Sequence, residues 1–112
     1  MQIDKRFVGK WRITEMEQWD KDYIDLVAPG YITIERDGGG SLKFGAIDAD
    51  IDCRVRLEDS SGGSDRLEFS LEGEDEGDPV CGRGWAKVQG REMTGRIYFH
   101  MGDESGFCAS KK

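Results

Sequence analysis

Short runs in which apolar and polar residues alternate with a period of two recur throughout this chain. Ile51, Cys53 and Val55, for example, alternate with Asp52 and Arg54. This alternation is typical of a β-strand with one buried and one solvated face. Clusters of Gly, Asp and Ser separate the runs, and Gly makes up 16 of the 112 residues, about twice the usual ~7% share. We therefore expect an antiparallel all-β protein with tight turns.

The alternating runs predict eight strands joined in up-and-down order. In the run that follows Gln89, the alternate positions are occupied by the apolar residues Met93, Ile97, Phe99 and Met101. The predicted strands are approximately 9–19, 30–37, 40–47, 50–58, 65–72, 80–89, 91–101 and 105–110. The division between 47 and 50 stays open, because one long bent strand over 41–58 would favour an OB-type or open barrel.

Closure of the sheet follows from the number of strands. About eight strands that share one apolar face would leave that face and two edges exposed in a flat sheet, and a barrel avoids both. Between the first two strands, 20–28 is long enough for a short helix, with Asp20 as its N-cap and Pro29 as a stop. We expect 1–112 to form a single antiparallel barrel domain, with an interior either filled or hollow.

Charge, hydropathy and cysteine usage limit the partners and the compartment. Lys and Arg number 16 against 23 Asp and Glu, a net charge of −7, which disfavours nucleic acid. The chain contains neither the ~18 consecutive apolar residues of a membrane span nor the apolar core of a secretion signal. Three cysteines without C-x-x-C pairs, Cys53, Cys81 and Cys108, predict free thiols in a reducing cytoplasm.

The first strand opens with an F-x-G-x-W pattern, written Phe7-Val8-Gly9-Lys10-Trp11. This pattern resembles the first motif of lipocalins and other calycin barrels. The resemblance implies that Gly9 allows close chain approach at the barrel base and that Trp11 plugs it. Departures from the family are Arg12 in place of an aromatic residue and the lack of a downstream T-D-Y motif.

A second resemblance covers both ends of the chain. Residues 9–20 and 95–107 are similar to those of a family of small bacterial proteins without an assigned function. The similarity implies a bacterial cytoplasmic protein and supplies no chemistry.

The end of the first strand carries the candidate ligand site. Continuing the inward phase of Trp11 places Glu15, Glu17 and Trp19 on the inner face, where unpaired carboxylates are costly. Either they line a polar barrel mouth with Tyr23, or a β-bulge near Thr14 turns Met16 inward and releases both Glu side chains to solvent. The first alternative predicts a small-molecule ligand with an apolar body and a cationic or hydrogen-bonding end.

A second candidate surface follows from a predicted turn at Gly90-Arg91. A two-residue type II′ turn there would pair Gln89 with Glu92 and bring five side chains onto one outward patch. They are Arg83, Trp85, Arg96, Tyr98 and His100. Exposed Trp beside Arg is typical of interfaces, so this patch is either a self-association surface of a homodimer or a simple cover of the sheet.

Catalysis and metal binding are the least favoured interpretations of this sequence. The same register sets Cys81 opposite His100, but no oxyanion donors or catalytic motifs accompany them. Asp48, Asp50 and Asp52, with Asp59, only partly match a calcium loop, because Cys53 stands where the loop needs Gly. We therefore expect no catalytic residue, metal or cofactor, and rank a ligand-binding module above an interaction domain and both above an enzyme.

Overall fold

The structure, a computed structural model, describes residues 3–56 and 66–112. Eight antiparallel strands form a closed barrel in sequence order, so the last strand pairs with the first. This confirms the predicted fold class. The strands are β1 (Gly9–Met16), β2 (Tyr31–Ile34), β3 (Gly39–Phe44), β4 (Ile47–Arg56), β5 (Arg66–Asp75), β6 (Asp78–Gln89), β7 (Glu92–Phe99) and β8 (Glu104–Lys111).

The two predicted strands are separate, but the turn between them lies at 45–46 and not between 47 and 50, which belong to β4. β3 and β4 are separate, fully paired strands, and Gly45 between them has φ 56°, a value that favours Gly. The open-barrel alternative with one bent strand is therefore wrong. The predicted strand ends at 57, 58 and 65 lie outside the described residues.

Two predicted strands extend too far at the same end of the barrel. β1 ends at Met16 instead of continuing to Trp19, and β7 ends at Phe99. Met101, which alternation placed in the apolar phase, is 95% exposed with φ 55°. It belongs to the connection to β8, where the backbone reverses and the period of two no longer applies.

A single turn of helix, α1 (Lys21–Ile24), follows β1 as predicted. The Asp20 side chain caps it by accepting a hydrogen bond from the Tyr23 backbone N–H at 2.9 Å. Ile24 is fully buried and anchors the turn on the barrel. Within the described ranges, no helix has the length and apolar character needed to cross a membrane.

The barrel interior is filled by its own side chains. Inward-facing positions of all eight strands contribute to one apolar core, with exposures of 6% or less. The largest of these side chains, each almost fully buried, are Phe7, Trp11, Ile13, Ile32, Ile34, Leu42, Phe44, Leu67, Met93 and Ile97. The alternative of a filled interior, left open by the sequence, is therefore the one observed.

Trp11 closes the end of the barrel at which β1 begins, called the base below. Its ring is fully buried, and its indole Nε1–H donates a hydrogen bond to the Phe7 carbonyl oxygen at 2.9 Å. Gly9 has φ 135°, a conformation that other residues rarely adopt. The segment before β1 lies across the base, where the Ile3 N–H donates to the Arg36 carbonyl oxygen at 2.8 Å.

Replacing Trp11 by Ala should lower the free energy of unfolding by ~3–5 kcal/mol, because the change empties a buried site and removes the donor to Phe7. Urea unfolding followed by circular dichroism measures this loss. The matched control is Trp85→Ala, which removes a half-buried ring from the outer face and should cost only ~1 kcal/mol. Wild-type stability in Trp11→Ala would contradict a base plugged by this ring.

Candidate functional site

A β-bulge in β1 decides which side chains face the interior. The register with β8 shifts between Ile13 and Glu15. Beyond the shift Met16 is buried, while Glu15 and Glu17 are exposed. The alternative with both carboxylates inside is therefore wrong, and the bulge near Thr14 is present. An apolar Met side chain occupies the core at this level, so that no unpaired carboxylate is buried.

The two carboxylates lie on the outside of the barrel. Glu17 accepts a hydrogen bond from Arg96 Nη2 at 3.1 Å, and Glu104 accepts one from Arg96 Nε at 3.1 Å. This network ties the end of β1 to β7 and β8. Of the four residues predicted at the mouth, the structure brings together Trp19 and Tyr23 but not Glu15 and Glu17.

Aromatic rings cover the open end of the barrel, called the mouth. Trp19 stacks on Tyr23 with ring centroids 6.2 Å apart, and it also contacts Phe44 at 5.1 Å and Phe99 at 6.3 Å. The four rings lie directly against the buried core. They close the interior from this side and present a half-buried aromatic surface to the outside.

A groove of about 950 Å³ runs from this aromatic surface along the ends of β4, β5 and β6. We call it the mouth groove. Its apolar lining includes Trp19, Tyr23, Ile47, Val80 and Phe99. Its acidic lining comprises Asp48, Asp50, Glu72, Glu74, Asp75 and Asp103. Because carboxylates surround an aromatic floor, the groove suits a ligand that is cationic and partly apolar.

Tyr23 is held in the groove by the turn that precedes β4. Gly45 lies against the Tyr23 ring, and a Cβ at this position would overlap the ring. The Gly45 N–H also donates to the Ile24 carbonyl oxygen at 2.9 Å. Glycine is therefore required here both for its positive φ and for the close approach of the ring.

A bidentate ion pair fixes the connection between α1 and β2. Arg12 donates to both carboxylate oxygens of Asp25 at 2.7 Å, and the Gly30 N–H donates to Asp25 Oδ1 at 3.0 Å. The hydrogen bonds from Arg12 hold the pKa of the Asp25 carboxyl well below its usual range. The sequence signal for this pair was Arg12 itself, the charged residue in place of a family aromatic, but its partner 13 residues away could not be identified from the pattern.

The Arg12–Asp25 pair should make stability depend on pH. Because the pKa of Asp25 is lowered on folding, its contribution is complete above the ordinary Asp pKa of ~3.9 and is lost as pH falls below it. Asp25→Asn should therefore lose less stability than the wild type on acidification from about pH 5 to pH 3. Urea unfolding at a series of pH values measures both curves.

Asp22→Asn is the matched control, because Asp22 is an exposed carboxylate on the same helical turn. Its pH curve should follow that of the wild type. Parallel curves for the wild type and Asp25→Asn would show that the ion pair contributes nothing to the acid dependence.

The predicted patch on the outer face of β6 and β7 is assembled in the predicted register. Arg83 pairs with Tyr98 and Trp85 with Arg96. The Arg83 guanidinium lies 5.4 Å from the centre of the Tyr98 ring. Arg83, Trp85, Arg96 and Tyr98 therefore lie on adjacent strands, while the exposed His100 follows the end of β7. Their role in an interface remains a prediction.

The guanidinium near Trp85 comes from a different strand than expected. Arg66 on β5 lies 5.7 Å from the Trp85 ring, whereas Arg96 turns toward Glu17 and Glu104. A groove of about 660 Å³ opens at this place and includes Arg66, Arg83 and Trp85 in its lining. The sequence could not reveal Arg66, because its position depends on the pairing of β5 with β6.

The three cysteines are free thiols in different environments, with Cys53 buried, Cys81 exposed and Cys108 half-buried. Cys53 is buried in the core, and this burial raises the pKa of its thiol to about 12. Cys81 is exposed and accepts, through its carbonyl oxygen, a hydrogen bond from the His100 N–H at 2.8 Å. Across residues 3–56 and 66–112, no group of three or more His, Cys, Asp or Glu is arranged to hold a metal. Asp59, the twelfth position of the calcium pattern, lies outside those ranges.

Comparisons with known proteins add no family to this description. No protein-family model matches the chain. Neither a curated protein nor a solved structure matches it. Function is therefore inferred from the geometry of the molecule itself.

Proposed function

We propose that this protein is a binding module whose mouth groove takes a small amphipathic cation. The observation that carries the proposal is the aromatic floor of Trp19, Tyr23 and Phe99 beneath a rim of carboxylates. Aromatic faces attract cations through their quadrupole, and carboxylates add charge and hydrogen-bond acceptors. A ligand with a quaternary or protonated amine next to an apolar group satisfies both.

Two carboxylates are best placed to bind the cationic end. Asp75 continues the inward phase of β5 and is half-buried, and Asp103 lies on the connection between β7 and β8. Neither side chain has an ion-pair partner among the described residues, and none of the described Lys or Arg residues lines the groove. Their negative charge is therefore available to a ligand.

Because the interior is filled, we propose a binding site at the mouth of the barrel and not inside it. A lipocalin-like role would place the ligand in a central cavity, but the inward positions hold core side chains. The F-x-G-x-W start and the closed eight-stranded barrel support a relation to lipocalin-like proteins. We propose that the chain shares their architecture, acts in a bacterial cytoplasm and binds its ligand at the surface.

Titration with benzyltrimethylammonium, followed by Trp fluorescence and by isothermal calorimetry, tests the proposal. We expect saturable binding that is at least tenfold tighter than that of the uncharged analogue neopentylbenzene. Asp75→Asn combined with Asp103→Asn should weaken the binding by roughly tenfold, which corresponds to ~1.4 kcal/mol. Trp19→Phe should remove most of the fluorescence response.

Glu35→Gln is the matched control, since Glu35 is an exposed carboxylate near the opposite end of the barrel. It should bind the probe like the wild type. Binding that does not saturate, or that is equally reduced in Glu35→Gln and in the groove variants, would overturn the mouth groove as a cation site.

A further inference from the structure

The outer face of β4 is divided by charge. Its exposed residues read Asp48, Asp50 and Asp52 in the half nearer the mouth, and Arg54 and Arg56 in the half nearer the base. Successive outward residues on a strand lie about 7 Å apart. The outer face of β4 therefore has an acidic end and a basic end.

The neighbouring strand repeats most of this division, with Glu68 beside Arg54 as the one acidic residue of its basic half. On β5, Glu74 and Glu72 lie beside Asp48 and Asp50, and Arg66 lies beside Arg56. On β6, Arg83 lies beside Ser70 at the middle of the wall, and Trp85 lies beside Glu68, one outward position nearer the base. We call this surface the polarised wall; it consists of Asp48, Asp50, Asp52, Arg54, Arg56, Arg66, Glu68, Ser70, Glu72, Glu74, Arg83 and Trp85.

Contacts within the chain leave an excess of negative charge at the acidic end of the wall and of positive charge at its basic end, where Arg56 and Arg66 share the carboxylate of Glu68. Arg54 binds Asp52 at 2.7 Å, and Arg56 binds Glu68 at 3.1 Å. In the described part of the chain, Asp50, Glu72 and Glu74 have no ion-pair partner. The Arg83 guanidinium lies over the Tyr98 ring and has no ion-pair partner among the described residues, and the Nε of Arg66 is buried without an acceptor.

We infer that the polarised wall is a self-association surface, on which a second copy of this chain packs with its strands reversed. We consider a two-fold axis that lies in the plane of the wall, perpendicular to the strands and close to Asp52. It would place the mouth end of one copy over the base end of the other. Asp50 would then face Arg54 of the partner subunit, and Asp48 would face Arg56 of the partner subunit. These positions are symmetric about Asp52 along β4, so one axis satisfies both.

Charge favours this arrangement over the alternatives, because it places the basic half of the wall over the acidic half, with Arg66 facing Glu74 of the partner subunit. These contacts outnumber the like-charge contacts of the same arrangement, in which Asp52 and Arg83 face their own copies and Glu68 faces Glu72 of the partner subunit. A two-fold axis parallel to the strands would place acid on acid and Arg on Arg, which is unfavourable. The reversed arrangement uses the same surface on both copies and closes as a dimer, whereas a head-to-tail contact would propagate. Trp85, near the centre of the wall, supplies the kind of aromatic anchor that dominates many interfaces.

Two complementary variants test the inference. R54D/R56D makes β4 acidic along its whole outer face, and D48R/D50R makes it basic. We expect the wild type to be dimeric by sedimentation velocity at high micromolar concentration, and each variant alone to be monomeric under the same conditions. An equimolar mixture should form a heterodimer, identified by its mass in native mass spectrometry, with a dissociation constant at least tenfold below that of either homodimer.

K5D/K10D is the matched control, because it changes the net charge as much as R54D/R56D at exposed positions away from the wall. It should remain a dimer. Circular dichroism checks the fold of every variant, and the single changes R56D and D48R repeat the comparison where a double variant does not fold. A monomeric wild type, or a mixture without heterodimer, would overturn the inference and leave the wall to a different partner.

Discussion

The pairing of β1 with β8 is the contact on which the rest of the structure depends, because it turns a meandering sheet into a closed barrel. Without it two strand edges would be exposed and the apolar face would lie open. The bulge between Ile13 and Glu15 lets β1 complete this pairing, since it keeps Ile13 and Met16 inside while both Glu side chains stay in water. It also directs the chain after β1 across the mouth, where Trp19 and Tyr23 cover the core.

Because the barrel is closed and its interior is filled with side chains, a ligand or partner has to bind at the outer surface. Phe7 and Trp11 block the base, the aromatic cluster around Trp19 blocks the mouth, and apolar side chains occupy the space between. The chain is strongly acidic, with a net charge of −7, yet three of its nine arginines, Arg54, Arg56 and Arg66, lie together at the basic end of the wall. Two adjoining surfaces result: an acidic, aromatic mouth groove, and a wall that is basic at one end and whose acidic end shares four carboxylates with the groove, those of Asp48, Asp50, Glu72 and Glu74.

Much of the fold could be predicted from the sequence because a period of two records which residues face the core. This pattern sufficed for the eight strands, while the Asp20 cap followed from the residue type before 21–28 and the register of β6 with β7 from the turn at Gly90-Arg91. It failed where the backbone departs from regular pleating, as at the bulge near Thr14 and at Met101. It also gave no information on pairs that form only through tertiary contact, such as Arg12 with Asp25. The charge division of β4 is visible in the sequence as D-x-D-x-D-x-R-x-R, but its meaning depends on neighbouring strands that repeat it.

Measuring the register between β1 and β8 tests most directly whether these strands close the barrel through a bulge in β1. Backbone nuclear Overhauser effects in isotopically labelled protein identify which residues face each other across an antiparallel pair. We predict that Ile13 faces Ala109 and that Glu15, not Thr14, faces Cys108, with Met16 opposite Phe107. An unbroken register that places Thr14 opposite Cys108 and Glu15 opposite Phe107, or the absence of any contact between the two strands, would contradict it.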